Sequence, residues 1–153
     1  MNRVRPFTYS HRDSVANFTH YNQPMAHPLG ANFNEFIGIA RYQPAPKWLA
    51  VAKLIWYQQG RDSNSISYGS NIFLHNTTPP RVGDFGHFIG DGWKTNVLFA
   101  SFLLSYELRE NFFLELNALF RRQETKTPPV TAANTSVVSF GVRWNMHRRE
   151  FDY

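Results

Sequence analysis

Three groups of residues in this 153-residue chain carry side chains able to do chemistry. The first lies in the polar run 11–32, HRDSVANFTHYNQPMAHPLGAN, which holds His20, Tyr21, Asn22, Gln23 and His27. Aromatic faces stack on sugar rings, and amide and imidazole groups bond to hydroxyls. The set therefore suits a glycan. It equally suits a loop folded inward as a plug, with His27 satisfying buried backbone groups.

The second group is Val82 to Trp93, VGDFGHFIGDGW. Its glycines permit tight backbone, and Asp84, His87 and Asp91 are polar. A calcium loop needs several oxygen ligands at a defined spacing, and this stretch has only two carboxylates. A zinc site needs clustered nitrogen or sulfur ligands, which are absent here. No metal is expected. Phe85, Phe88 and Trp93 read instead as ring-bearing positions of a solvated loop at a membrane surface or against a glycan, so Trp93 joins the glycan-binding candidates.

The third group is a set of charges, Glu35, Arg41, Lys53, Glu115, Arg121 and Arg143, spread over four candidate strands. If they share an interior they can form a track for an anionic polymer, or pair across strands and merely fill it. No Ser-His-Asp order, phosphate-binding glycine loop or pair of carboxylates spaced for glycoside hydrolysis stands out. Cysteine is absent, which removes thiolate chemistry and disulfides. The expectation is a non-enzymatic protein without a cofactor.

The elements that position these residues alternate with period two. In Asn111–Gln123, Phe112, Leu114, Leu116, Ala118 and Phe120 are all apolar, while Glu115, Asn117, Arg121 and Gln123 fall on the alternate row. That is a strand with one greasy and one wet face. The same pattern appears in 48–59, where Trp48, Ala50, Ala52, Leu54 and Trp56 form the apolar row, in 95–108 and in 135–146. Residues 33–42 form a further strand, with the row Glu35, Ile37, Ile39 and Arg41 assigned inward because it carries the charges. Residues 3–10 read as a short strand with Pro6 near an end or edge.

These strands are as long as the roughly 9–11 residues of a membrane-crossing β-strand or longer, against about 5–6 for an ordinary one. Connections alternate as well. Those near 11–32, 60–94 and 124–134 are long; those at 43–47 and 109–110 are short. In up-and-down order, long loops then share one end and short turns the other, as in outer-membrane barrels. Trp48, Trp56, Tyr106, Phe112, Phe120 and Trp144 stand at the ends of outward rows, where rings favour the membrane interface.

The expected fold is all-β: an antiparallel up-and-down meander of about six long strands, part of a larger transmembrane β-barrel. Six strands are too few to close such a barrel, so residues 1–153 are expected to be one incomplete domain. No apolar run is long enough for a membrane helix, and the start lacks a signal peptide, so an exported form would be a mature or internal part of a longer chain. A soluble β-sandwich explains the alternation equally well, but explains less well the strand lengths and the charges repeated on the opposite face of each long strand. The net charge is +5, but the cations are scattered apart from Arg148 and Arg149 beside His147, so nucleic acid is not an expected partner.

Several stretches carry a resemblance. PFTYSH (Pro6–His11), FTHYNQPMAHPLGANFNEF (Phe18–Phe36) and YGSNIF (Tyr68–Phe73) resemble the carboxy-terminal half of the Wzi-type capsule-assembly outer-membrane barrels. The nearest branch is the Bacteroidetes group often labelled gliding-motility RemB. An HPLGAN segment followed by a strand and a Pro-rich turn is matched by His27 to Pro46, and Ser139–Asn145 resembles the terminal strand read by the outer-membrane assembly machinery. This chain runs on past that strand to Tyr153. The resemblance implies a barrel of about eighteen strands in the outer membrane of a Gram-negative bacterium. It also implies contact with lipid and the assembly machinery, and a lectin-like role in holding surface polysaccharide. Alternatives are an envelope structural or gliding-motility protein that recruits protein partners, and a soluble β-sandwich binding module.

Overall fold

The computed structural model describes residues 1–63, 66–77, 79–83, 85–127 and 129–145. The expectations placed on Asp84, Met146, the His147–Arg149 cluster and Tyr153 lie outside them. The described residues are all-β, with one short 3-10 turn, Ser14–Ala16, and no α-helix. The strands are β1 (Asn2–Val4), β2 (Thr19–His20), β3 (Gln23–Pro24), β4 (Phe33–Tyr42), β5 (Trp48–Arg61), β6 (Trp93–Arg109), β7 (Phe112–Thr125) and β8 (Thr131–Trp144). Six of them form one antiparallel sheet in the order β1-β4-β5-β6-β7-β8, and β2 and β3 form a separate hairpin. From β4 onward each strand pairs with the next, so the long strands make a meander.

Two expected boundaries shift. Residues 3–10 are not a strand throughout: β1 stops at Val4 after pairing Val4 with Phe33, Arg3 with Asn34 and Asn2 with Glu35. Pro6 has no N–H to offer a ladder, and Phe7 takes a positive φ of 60°, turning its N–H to Gly69 O at 3.0 Å. Gly69 is required there, because a Cβ would come within 2.5 Å of Phe7. The connection expected over 124–134 is also shorter. β7 runs to Thr125 and β8 begins at Thr131, so only 126–130 separate them. Thr125 Oγ1 meets Thr95 Oγ1 at 3.2 Å, and Lys126 N–H donates to Lys94 O, which extends the ladder past Gln123.

Contacts divide the chain into two units. The first comprises Met1–Ile37, Ile55–Leu98 and Arg122–Ala133. Its buried apolar residues are few: Ala31, Phe33, Ile72 and Val97. Alongside them Ser10, Asn17, Asn32, Glu35, Ser67, Thr95 and Thr125 are buried, so polar side chains fill much of this interior. Soluble domains show the opposite preference.

The second unit comprises Gly38–Leu54, Phe99–Arg121 and the chain from Asn134. Here strand alternation separates two faces. On one, Trp48 packs on Tyr106 with ring centroids 4.6 Å apart, and Phe112 meets Trp144 edge-on at 6.3 Å. On the other, Glu115 pairs with Arg143 and accepts a long hydrogen bond from Ser105. Tight hairpins hold these strands in register. Asn111, at φ 61°, supplies the left-handed residue of the β6–β7 turn, and Trp48 N–H closes the β4–β5 turn onto Ala45 O.

Candidate functional site

The first candidate surface is the apolar face of the second unit. Tyr42, Trp48, Leu54, Phe102, Leu116, Phe120, Val138, Phe140, Val142 and Trp144 are all exposed. Leu116, mid-strand, is 42% accessible, and Phe140 is 69%. A Leu at the centre of a strand packed on a protein core would be nearly sealed from solvent. Between the large side chains, Gly38, Ala40, Ala52, Ala100 and Ala118 line a shallow apolar trough of about 750 Å³. At the hairpin-turn ends the face terminates in rings, Tyr42, Trp48, Tyr106, Phe112 and Trp144, one from each of β4 to β8.

The opposite row carries the charges, and the structure brings only some of them together. Arg143 Nε donates to Glu115 Oε1 at 2.8 Å across β7–β8, and the guanidinium lies 4.0 Å over the Phe113 ring. Arg41 and Lys53 stand exposed on β4 and β5; Arg121 on β7 is exposed and engaged by a partner. Glu35 is buried in the first unit, where it accepts from Asn2 Nδ2 at 2.7 Å and from His27 at 2.9 Å. Glu35 is thus paired within the first unit, and Glu115 with Arg143 within the second.

That contact also places His27. Its Nδ1 accepts from Leu29 N–H at 3.2 Å, so the proton sits on Nε2 and is donated to Glu35. Its ring packs on Phe33, centroids 4.5 Å apart. Both ring nitrogens are used internally, which makes His27 a packing residue and separates it from the other glycan candidates.

His20, Tyr21, Asn22 and Gln23 sit on a hairpin where only a loop was expected. β2 and β3 pair Thr19 with Pro24 and His20 with Gln23. Tyr21 and Asn22 form the turn with φ of 47° and 58°, the two positive values of a type I′ turn. This turn projects Tyr21, 89% exposed, with the His20 ring against it at 4.2 Å. The alternation THYNQP is too short to announce two strands. Trp93, the first residue of β6, is half-buried, and no ring contact or hydrogen bond among the described residues joins it to the hairpin.

The residue that organises the first unit was not among the candidates. Asn32 is fully buried at φ 61°. Its Nδ2 donates to Gly60 O at 2.8 Å and to Asp91 O at 2.9 Å, with a longer contact to Tyr68 O. Its Oδ1 accepts from Gly90 N–H at 2.7 Å. Gly60 must be glycine, since a Cβ would lie 2.0 Å from Asp91 O. Asp62 plays a similar local role, accepting from the N–H groups of Tyr68, Ser70 and Asn71. The available signal was an Asn directly after Gly30-Ala31, a residue type that tolerates left-handed backbone.

Comparison with protein-family models, with curated proteins and with solved structures returned no match. Among the described residues no group of three His, Asp or Glu side chains is placed to hold a metal ion.

Proposed function

We propose that this chain forms part of the wall of an outer-membrane β-barrel, with the exposed apolar face of the second unit turned to lipid. The single observation that carries the reading is the inverted distribution of side chains. Large apolar residues are exposed along β5 to β8, while Asn32, Glu35, Thr95, Ser105 and Thr125 are buried. Water penalises the first arrangement and rewards the reverse, whereas a bilayer outside and a polar interior favour it. Dimension agrees. The apolar row of β5 from Trp48 to Trp56 and that of β7 from Phe112 to Phe120 each span nine residues. A membrane-crossing strand tilted by about 45° needs roughly 9–11 residues, and nine is the lower end of that range. The terminal rings of Trp48, Tyr106, Phe112 and Trp144 fit an interfacial girdle.

The role assigned to the barrel is capsule or surface-polysaccharide assembly or attachment, through loops and without catalysis. It is supported by the resemblance of Pro6–Phe36 and Tyr68–Phe73 to Wzi-type barrels. The exposed His20–Tyr21 ring pair on its hairpin adds a stacking platform of the kind sugars use. The complete barrel containing this chain, reconstituted in lipid vesicles, is expected to retain purified acidic capsule polysaccharide, and Tyr21→Ala to weaken retention several-fold. A chain that stays soluble and monodisperse without detergent contradicts the barrel. One that inserts but retains no polysaccharide contradicts the glycan role and favours recruitment of protein partners.

A further inference from the structure

At its hairpin-turn end, the second unit carries a cavity of about 430 Å³ where β6 turns into β7. It is lined by Leu108, Arg109, Glu110, Phe112 and Trp144, all of them residues of that unit. Three of the five are apolar. The other two are neighbours in sequence and carry opposite charges.

The turn fixes this wall. Glu107 Oε1 accepts from Asn111 N–H at 3.2 Å, which commits that carboxylate to the turn and not to the cavity. Asn145 N–H donates to Asn111 O at 2.9 Å, which ties the end of β8 to the same residue. Trp144 is thereby held edge-on to Phe112, while it and Leu108 stay exposed. Rings fixed in this way have little freedom left to lose when a ligand arrives.

Arg109 and Glu110 are exposed, and among the described residues neither enters an ion pair. A guanidinium grips phosphate oxygens with two parallel hydrogen bonds, and a carboxylate accepts from an ammonium N–H. The complementary ligand therefore carries a phosphate and an N–H-bearing cation close together, on an apolar body that lies on Leu108, Phe112 and Trp144. A purely anionic headgroup would leave Glu110 facing like charge. A quaternary ammonium would balance the charge but offer Glu110 no proton. Position agrees with a lipid: short turns stand at the periplasmic end of such barrels, and rings at that level lie among headgroups.

We infer that this cavity seats one phospholipid with a phosphoethanolamine headgroup. Arg109 holds the phosphate, Glu110 holds the primary ammonium, and an acyl chain lies on Leu108, Phe112 and Trp144. The site rests on the lipid-facing reading above and names a lipid class for it.

The test uses the complete barrel containing this chain, purified in detergent and mixed with equal amounts of phosphatidylethanolamine, phosphatidylcholine and phosphatidylglycerol of the same acyl chains. Native mass spectrometry counts the lipid retained. Phosphatidylethanolamine is expected to be retained several-fold over either competitor. Arg109→Gln should abolish that preference. Glu110→Gln should turn it toward phosphatidylglycerol, because Arg109 then stands without an acidic neighbour. Equal retention of the three lipids by the unaltered barrel overturns the site, whatever the variants do. So does phosphatidylcholine held as well as phosphatidylethanolamine, or a folded Glu110→Gln variant with unchanged preference. A nitroxide at position 116 of the same barrel in vesicles separates the two failures. If it is oxygen-rich and no lipid is preferred, the site is wrong and the lipid-facing reading survives; if it is open to water, both fall.

Discussion

Asn32 gathers stretches of chain that lie 28, 36, 58 and 59 positions away. Each partner is a backbone group that would otherwise be buried and unpaired. Asn32→Ala removes every side-chain bond and leaves alanine in a left-handed conformation. The expected loss is about 2–4 kcal/mol of stability, read as a lower midpoint in denaturant unfolding. Asn32→Asp should be at least as damaging, because it keeps the shape but replaces the donating NH₂ by an acceptor facing three carbonyls. The surface pair Glu115–Arg143 belongs at the other extreme, since exposed pairs contribute only about 0–1 kcal/mol. Glu115→Gln is accordingly expected to shift the same midpoint by less than about 1 kcal/mol. None of the Asn32 network could be read from HPLGAN, because its partners are set by where residues 60–91 fold back. His27 was visible as a buried-group satisfier, but its pairing with Glu35 joined two sets that sequence alone kept apart.

Strands were the most legible elements. β4 occupies Phe33–Tyr42 as the alternation indicates, and β5, β6 and β7 extend the expected spans by a few residues. Period two survives because each long strand presents different surroundings to its two faces. The 3–10 segment was not legible as a turn because Phe7 adopts a positive φ for which only the distant Gly69 makes room. Facing is the property that a pair of substitutions can check. Leu116 lies on the exposed apolar row of β7 and Asn117 on the opposite row. In lipid, Leu116→Arg is expected to cost about 2–4 kcal/mol near the midplane, and Asn117→Arg far less. Unfolding of the two variants from the same vesicles measures the difference. Equal costs would mean that the rows do not face different media.

For the whole molecule, the decisive question is what covers the apolar face of the second unit. Sequence pattern alone left two answers, a protein layer or lipid. Among the described residues the face from Tyr42 to Trp144 carries no protein layer, and its large side chains remain exposed. Length and terminal rings match a bilayer. The most direct measurement is a nitroxide scan of β7, one label at each position from Phe112 to Phe120, with the chain reconstituted in vesicles. Collision rates with oxygen, which concentrates in lipid, and with a water-soluble nickel complex report each label's surroundings. A lipid-facing row gives alternation with period two: oxygen-rich and nickel-poor at 112, 114, 116, 118 and 120, and the reverse at 113, 115, 117 and 119. Uniform nickel access along the strand, or oxygen maxima on the odd-numbered row, would contradict it.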